Sequence, residues 1–295
     1  MSKYISYALF GFDKERVNGC FDFSSYLRGL TLCLRFNKML YPEWQTILNT
    51  DISTYQAFPD FFKILQDRNL LVIEQNPNNV PLCEAMLWRM KPIYTQTATH
   101  VLCRDLDSPA TYREVQAVQM WLNKGTKAMH AITDSVSHDV PLLGGMIGIS
   151  VDAFKSRTGT NNWGDFRNMC RLDLSGKGSD QTFLNSKIYP LVAEKGSDSI
   201  TQHYFKGHGK TWLSDFHTCS CWLEQPALGH KQGCPLDVAL GIPIELKETD
   251  ECCQHIGSAG YNEPATMRWV NKHKAKFEDI ITAELLYPKI FYWNV

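Results

Sequence analysis

The stretch Thr99-His100-Val101-Leu102-Cys103-Arg104-Asp105-Leu106-Asp107-Ser108 decides how the chain is read. Its first half is apolar and partly β-branched, which predicts a buried strand over 99–103. The run then meets two carboxylates spaced i and i+2. In extended backbone such residues point to one face. Asp105 and Asp107 thus stand side by side at the carboxyl end of a strand, where open α/β sheets bind their ligands. Two adjacent like charges stay ionised only beside a cation. A hard divalent ion, Mg²⁺ or Mn²⁺, suits these oxygens and usually completes its shell with substrate phosphates. The implied substrate is a nucleoside diphosphate compound. The plainer alternative is a solvated turn that caps the next helix, since a bare Asp-x-Asp is weak evidence by itself.

The flanks strengthen the first reading. Downstream, Ser108-Pro109 offers an N-cap and an N1 proline, and Thr111-x-x-Glu114 an alternative capping box. Val115, Val118 and Leu122 line one helical face, and Gly125 closes it. Upstream, Tyr4 to Phe10 reads as the first, central strand. Tyr26 to Leu40 reads as a helix with Leu27, Leu30 and Leu34 inward, 44–48 and 70–73 as strands, and 83–90 as a helix stopped by Pro92. Further on, 128–132 and 146–151 are expected strands and 180–191 a helix. Residues 155–178 are polar and contain glycines, which suggests a mobile loop that orders over a ligand. Strands alternating with helices predict an α/β sheet, mostly parallel in its first half.

Composition narrows the function classes. At 295 residues the chain suits one large α/β domain or two ordinary ones. Lys plus Arg is 30 against 31 for Asp plus Glu, a formal charge of -1, so no global nucleic-acid footprint is present. No apolar run approaches the roughly 20 residues that cross a bilayer. Met1-Ser2-Lys3-Tyr4 runs into a strand without the sections of a signal peptide, and a soluble cytoplasmic protein is expected. Of ten cysteines, Cys20, Cys33, Cys83, Cys103 and Cys170 are scattered like ordinary buried thiols, and the rest lie between Cys219 and Cys253. A disulfide framework is not expected.

Four blocks together resemble a known family. The first is Arg104-Asp105-Leu106-Asp107-Ser108 followed by Arg113-Glu114-x-x-Ala117-Val118-x-x-Trp121-Leu122. The others are His138-Asp139-Val140-Pro141-Leu142-Leu143-Gly144-Gly145-Met146-Ile147-Gly148, Ser179-Asp180-Gln181-Thr182-Phe183-Leu184, and Ile188-Tyr189-Pro190. Over roughly residues 100 to 205 this order resembles the GT-A-type, nucleotide-sugar-dependent glycosyltransferases of bacteria, phages and other viruses. Two departures stand out: the family usually has Trp where Ile147 stands, and a His-Asp pair near Gln202-His203.

The resemblance implies a GT-A fold, a nucleotide-binding α/β/α sandwich, with its catalytic core at 1–205. A Cys/His-rich C-terminal segment, 206–295, would complete the same domain. It implies a nucleotide-sugar donor and a divalent ion, Mn²⁺ or Mg²⁺, held by Asp105 and Asp107, with His203 as a third ligand or else an ordinary histidine. Arg89, Arg104, Asp105, Gly144, Gly145 and Gln181 would touch the donor, although a helix-surface arginine is the plainer reading of Arg89. Asp180 would be the general base, a hydroxyl-binding group or only an N-cap. The implied acceptor is a glycan or polysaccharide. Transfer to a modified base of phage DNA ranks lower because the chain is near neutral.

The tail is read separately. His217, Cys219, Cys221, His230, Cys234, Cys252, Cys253 and His255 form a dense cluster. Cys219, Cys221, Cys234 and Cys252 are candidate ligands of a structural Zn²⁺, although Cys-x-Cys and Cys-Cys match no familiar module. Buried thiols or site-lining histidines are the alternatives. His255-Ile256-Gly257 resembles the element that closes the donor site in the same enzymes. A zinc-stabilised binding module without catalysis is the reading from another class. A C-terminal helix is expected within 264–286, carrying Arg268, Lys272, Lys274 and Lys276 on a solvated face.

Overall fold

The computed structural model of the chain describes residues 2–12, 23–110, 112–125, 127–133, 140–170, 176, 178–193, 200–204, 216–218 and 274–291. Among these, strands and helices alternate. In chain order they are β1 (Ser2–Leu9), α1 (Phe23–Leu40), β2 (Gln45–Asp51), α2 (Ile52–Ala57), α3 (Pro59–Asp67), β3 (Val72–Asn76) and α4 (Leu82–Leu87). A 3₁₀ turn (Trp88–Met90), α5 (Pro92–Thr95), β4 (Ala98–Arg104), α6 (Tyr112–Lys124), β5 (Met129–Thr133) and β6 (Met146–Ser150) follow. Then come α7 (Val151–Thr158), α8 (Trp163–Met169), α9 (Ser179–Phe183), a π-helical turn (Leu184–Ile188), α10 (Tyr189–Ala193), β7 (Ile200–Tyr204) and β8 (Phe216–Thr218). A helix at Glu278–Leu285, here α11, closes the described chain.

One eight-stranded sheet runs β3-β2-β1-β4-β6-β5-β7-β8. β1 pairs in parallel with β2 and β4, aligning Tyr7 with Leu48 and Ile5 with Leu102. β6 enters antiparallel between β4 and β5, with Leu102 and His130 both opposite Gly148. The sheet is thus mixed, and parallel through β1 to β4 as expected.

Alternation along β4 shows that both faces are covered. Leu102 joins the core made with α1, α3, α6 and α11, while Val101 and Cys103 join the core made with α4, α7, α8 and α9. Residues Leu27, Leu30 and Leu34 are buried as their spacing predicts, and so is every residue from Gly29 to Asn37. That helix is enclosed on more than one side, because Glu284 of α11 meets Arg35 and Ile290 accepts from Arg28. Cys33, Cys83, Cys103 and Cys170 are free buried thiols.

Within the expected loop over 155–178, residues 155–158 and 163–169 are instead helical, in α7 and α8, while 171–175 and 177 lie outside the described residues. Phe154 and Phe166 are buried, and Asn162 and Asp165 form a reciprocal capping box that starts α8. The polar residues that suggested a loop are the outward faces of two short helices. Of the two expected starts of α6, the helix begins after the second, at Tyr112, with Thr111 itself outside the described residues. Glu114 is buried, where it accepts hydrogen bonds from Tyr41 and Arg104. Helices α2 and α3 had no counterpart in the sequence reading. Of the C-terminal helix, 264–273 lie outside the described residues, as do the zinc candidates Cys219, Cys221, Cys234 and Cys252. No helix among the described residues is long and apolar enough to cross a membrane.

Candidate active site

The site is built where β4 ends. Ser108 N–H donates to the Asp105 carbonyl at 3.3 Å, so the chain turns as soon as it leaves the strand. Helix α1 lies directly on this turn. A side chain at Gly29 would collide with the Leu106 carbonyl, and the Cys33 thiol donates to the same carbonyl at 3.6 Å. The absence of a Cβ at Gly29 is what allows the two backbones to touch.

Arg89 comes from the 3₁₀ turn after α4. It is only 8% exposed, which excludes the reading of a helix-surface arginine. Its Nε donates to the Met86 carbonyl at 2.8 Å, and its own carbonyl accepts from the Cys103 thiol at 3.4 Å. Fixed in this way, the guanidinium spans two carboxylates. Nη1 donates to Asp105 Oδ1, and Nη2 donates to Asp180 Oδ2 at 3.3 Å. Burial works against the Arg89 charge, but Asp105 and then Asp180 more than offset it and hold the group protonated.

Asp180 is the second residue of α9 and is almost fully buried. Burial raises its pKa above the ordinary value, Arg89 opposes that rise, and the Asp105 charge adds to it. Asp180 shares one guanidinium with a competitor, while Arg89 has two carboxylates. The backbone N–H groups of Gln181 and Asp180 lie close enough to lower the Asp180 pKa again, while the other oxygen, Oδ1, is buried without a well-aligned hydrogen bond among the described residues. A buried polar oxygen left this way is costly, and it marks a place where a hydroxyl group would be welcome.

The glycine pair completes the cluster. Leu143 to Met146 is a tight turn closed by Met146 N–H on the Leu143 carbonyl at 2.9 Å. A Cβ on Gly144 would strike Asp180 Oδ2, and one on Gly145 would strike the Asp105 carboxylate. Both glycines are needed because the turn lies flat against the two acids.

Arg89, Asp105, Asp180, Gly144 and Gly145 therefore meet, although they span positions 89 to 180. Asp107 is two residues along the same turn. Gln181 follows Asp180, and its amide oxygen lies over Gly178. One expected residue does not join. Arg104 precedes Asp105 and, by strand alternation, points to the opposite face. There its guanidinium is buried against Glu114 and the Cys103 and Ile147 carbonyls, so it does not face a donor. His203 pairs with Ile132 in β7, three strands from β4, or about 14 Å across the sheet at ~4.8 Å per strand. Its side chain lies outside the described ones, and the third-ligand role stays an expectation. Among the described residues no three His, Cys, Asp or Glu side chains gather as a metal cage.

Two contributors escaped the sequence reading. Tyr26 on α1 faces the aspartate turn, and its phenol is pushed up to about 12 by burial and then by the charges of Asp107 and Asp105. Asn185, in the π-helical turn, binds the backbone of Leu142. The helix start near Ser179-Asp180 was visible, but its N-cap is Gly178 rather than Asp180, and nothing in the sequence announces a π-helical turn.

No protein family and no curated protein sequence matches the chain. Solved structures do. One is 4-diphosphocytidyl-2C-methyl-D-erythritol synthase from Anaerococcus prevotii, 9% identical, with a TM-score of 0.41 over 70% of this chain and 90% of that one. Another is residues 1–349 of TarS from S. aureus, 11% identical, with a TM-score of 0.40 over 99% of this chain and 83% of that one. Similarity at this level identifies neither a family nor an activity.

Proposed function

We propose that the chain is a GT-A-type glycosyltransferase that moves a sugar from a nucleotide-sugar donor to a hydroxyl group of a carbohydrate acceptor. One observation carries the reading: Asp105, Arg89, Asp180 and the Gly144–Gly145 turn converge at the carboxyl end of β4. Three of the four sequence blocks with family resemblance contribute to this part of the structure.

The donor set at the strand end suits a divalent ion of the kind that binds substrate. Asp105 and Asp107 supply hard oxygen ligands, and the Asp105 side chain is 41% exposed. Mg²⁺ and Mn²⁺ commonly use one or two carboxylates and take the remaining ligands from phosphate and water. Such an ion, held by Asp105 and Asp107, would supply Lewis-acid stabilisation to the departing nucleoside diphosphate.

The chain's own residues do the rest. Arg89, held between Asp105 and Asp180, places a fixed, permanently charged guanidinium beside the place of the diphosphate, where its charge attracts phosphate. The glycine turn lets backbone approach a sugar closely. Asp180 Oδ1 accepts a hydrogen bond, or the proton, from a sugar hydroxyl. Its raised pKa makes its carboxylate a stronger base than an ordinary one.

The test is thermal stability with a panel of nucleoside diphosphates in Mn²⁺ or EDTA. A true donor site raises the melting temperature by mass action, about 2.7 kcal/mol at a hundred times Kd. At least one diphosphate should do so in Mn²⁺ and much less in EDTA. Equal shifts in both would remove the ion from the proposal, and no shift with any nucleotide would remove the donor.

A further inference from the structure

Asn185 makes an unusual set of contacts for a helix residue. Its Oδ1 accepts from Leu142 N–H at 2.9 Å, and its Nδ2 donates back to the Leu142 carbonyl at 2.8 Å. The side-chain amide thus pairs with both backbone groups of one residue, as a neighbouring strand would. The same Nδ2 donates to the Gln181 carbonyl at 2.8 Å, which ties the clamp to the turn of helix that carries Asp180.

The location gives the clamp its meaning. Leu142 is fully buried and immediately precedes the Leu143–Met146 turn. That turn places Gly144 against Asp180 and Gly145 against Asp105 with no room for a Cβ. A shift of the turn by about one bond length would open or crush both contacts. The backbone at Asn185 is π-helical from Leu184 to Ile188, and single π turns inside helices recur at functional sites because they re-aim a side chain.

We infer that Asn185 is a positioning residue, which locks the glycine turn to the Asp180 helix so that both acids and both glycines form one rigid wall of the donor pocket. The inference rests on the donor-site reading for its purpose, but the clamp itself is testable without it. Asn185 is only half-buried, so its loss should leave a folded protein.

The experiment compares the parent with Asn185→Ala and Asn185→Asp. The isosteric aspartate keeps an acceptor for Leu142 N–H and loses both donated bonds. Amide exchange is read by mass spectrometry on peptides spanning 141–147, with β1 peptides as the internal reference. Binding of UDP, GDP, CDP, ADP and dTDP in Mn²⁺ is measured by calorimetry. In the alanine variant, exchange over 141–147 should speed up about tenfold or more while β1 is unchanged. Affinity for whichever diphosphate the parent binds should fall about tenfold, and the aspartate variant should lie between. Unchanged exchange in both variants overturns the clamp. Faster exchange with full diphosphate affinity overturns the positioning role. If the parent binds none of the five nucleotides, the donor reading fails and the exchange measurement alone decides the clamp.

Discussion

Arg89 and its two carboxylates set the chemistry at the level of single residues. Asp105 has Arg89 on one side and the Gly145 backbone on the other, while Asp107 stands further along the turn. Asp107→Asn should therefore leave the fold intact, with a melting temperature in EDTA close to the parent's. It should lose the Mn²⁺-dependent shift, and sugar transfer should fall on the order of a thousandfold, since the ion's stabilisation of the leaving diphosphate goes with it. Retention of more than about a tenth of parental turnover, ~1.4 kcal/mol, would place the ion elsewhere. Asp180 gives a prediction with a sign. Its folded-state pKa is raised, so the carboxyl favours folding most when protonated, at low pH, and that contribution is lost as pH rises through the folded pKa. Asp180→Asn mimics the neutral form. Its melting temperature relative to the parent should thus improve as pH goes from about 4 to 8, and transfer should be lost. A relative stability that instead worsens with pH would mean that the Arg89 pairing outweighs burial.

Elements carry these residues to one point, and α1 does so through a missing side chain. At Gly29 two terms oppose each other in a Gly→Ala change. Helix propensity favours alanine by about 1 kcal/mol. The new Cβ would strike the Leu106 carbonyl, and overpacking costs about 1–3 kcal/mol, here against backbone that cannot rotate away. Gly29→Ala should be less stable than the parent in urea unfolding and should bind nucleoside diphosphate more weakly, because the aspartate turn is what gives way. A variant as stable as the parent would show that α1 can slide. The strands were the most legible elements. The expected 99–103, 128–132 and 146–151 match β4, β5 and β6 to within two residues, because buried β-branched runs have few other uses. Asp105 was legible because the end of a strand is marked in sequence, whereas Asp180 and the glycine pair were legible only through the resemblance of their blocks. Arg104 was misassigned because it adjoins Asp105, yet strand alternation sends neighbours to opposite faces. α7 and α8 were missed because short amphipathic helices with few apolar residues look like loops. The Asn162-x-x-Asp165 capping box was the available signal.

The whole molecule is closed by its C-terminal end, and one buried ion pair makes that closure measurable. Arg35 and Glu284 are both fully buried, with Nη1 and Nη2 donating to the two carboxylate oxygens at 2.7 and 2.8 Å. The Phe277 ring lies 5.7 Å from the Arg35 guanidinium, Phe291 stacks on Phe61 at 5.5 Å, and Tyr287 packs edge-on against Phe58 at 5.3 Å. Residues more than 200 positions apart thereby tie α1 and α3 to the C-terminal segment. Gly29 lies six residues before Arg35, about 9 Å along the same helix. Arg35 thereby joins the helix that meets the aspartate turn to the C-terminal helix. Removing one partner strands a charge in the core, so Arg35→Met should cost about 3–5 kcal/mol in urea unfolding. Replacing both, as Arg35→Met with Glu284→Met, removes two desolvated charges and restores apolar packing, so most of that loss should return. Full recovery of stability with weakened diphosphate binding would show that the ion pair sets the position of α1 rather than the strength of the fold. If the double variant is as unstable as the single one, the bridge contributes stability that apolar packing does not replace, and the route from the C-terminal helix to the site is broken.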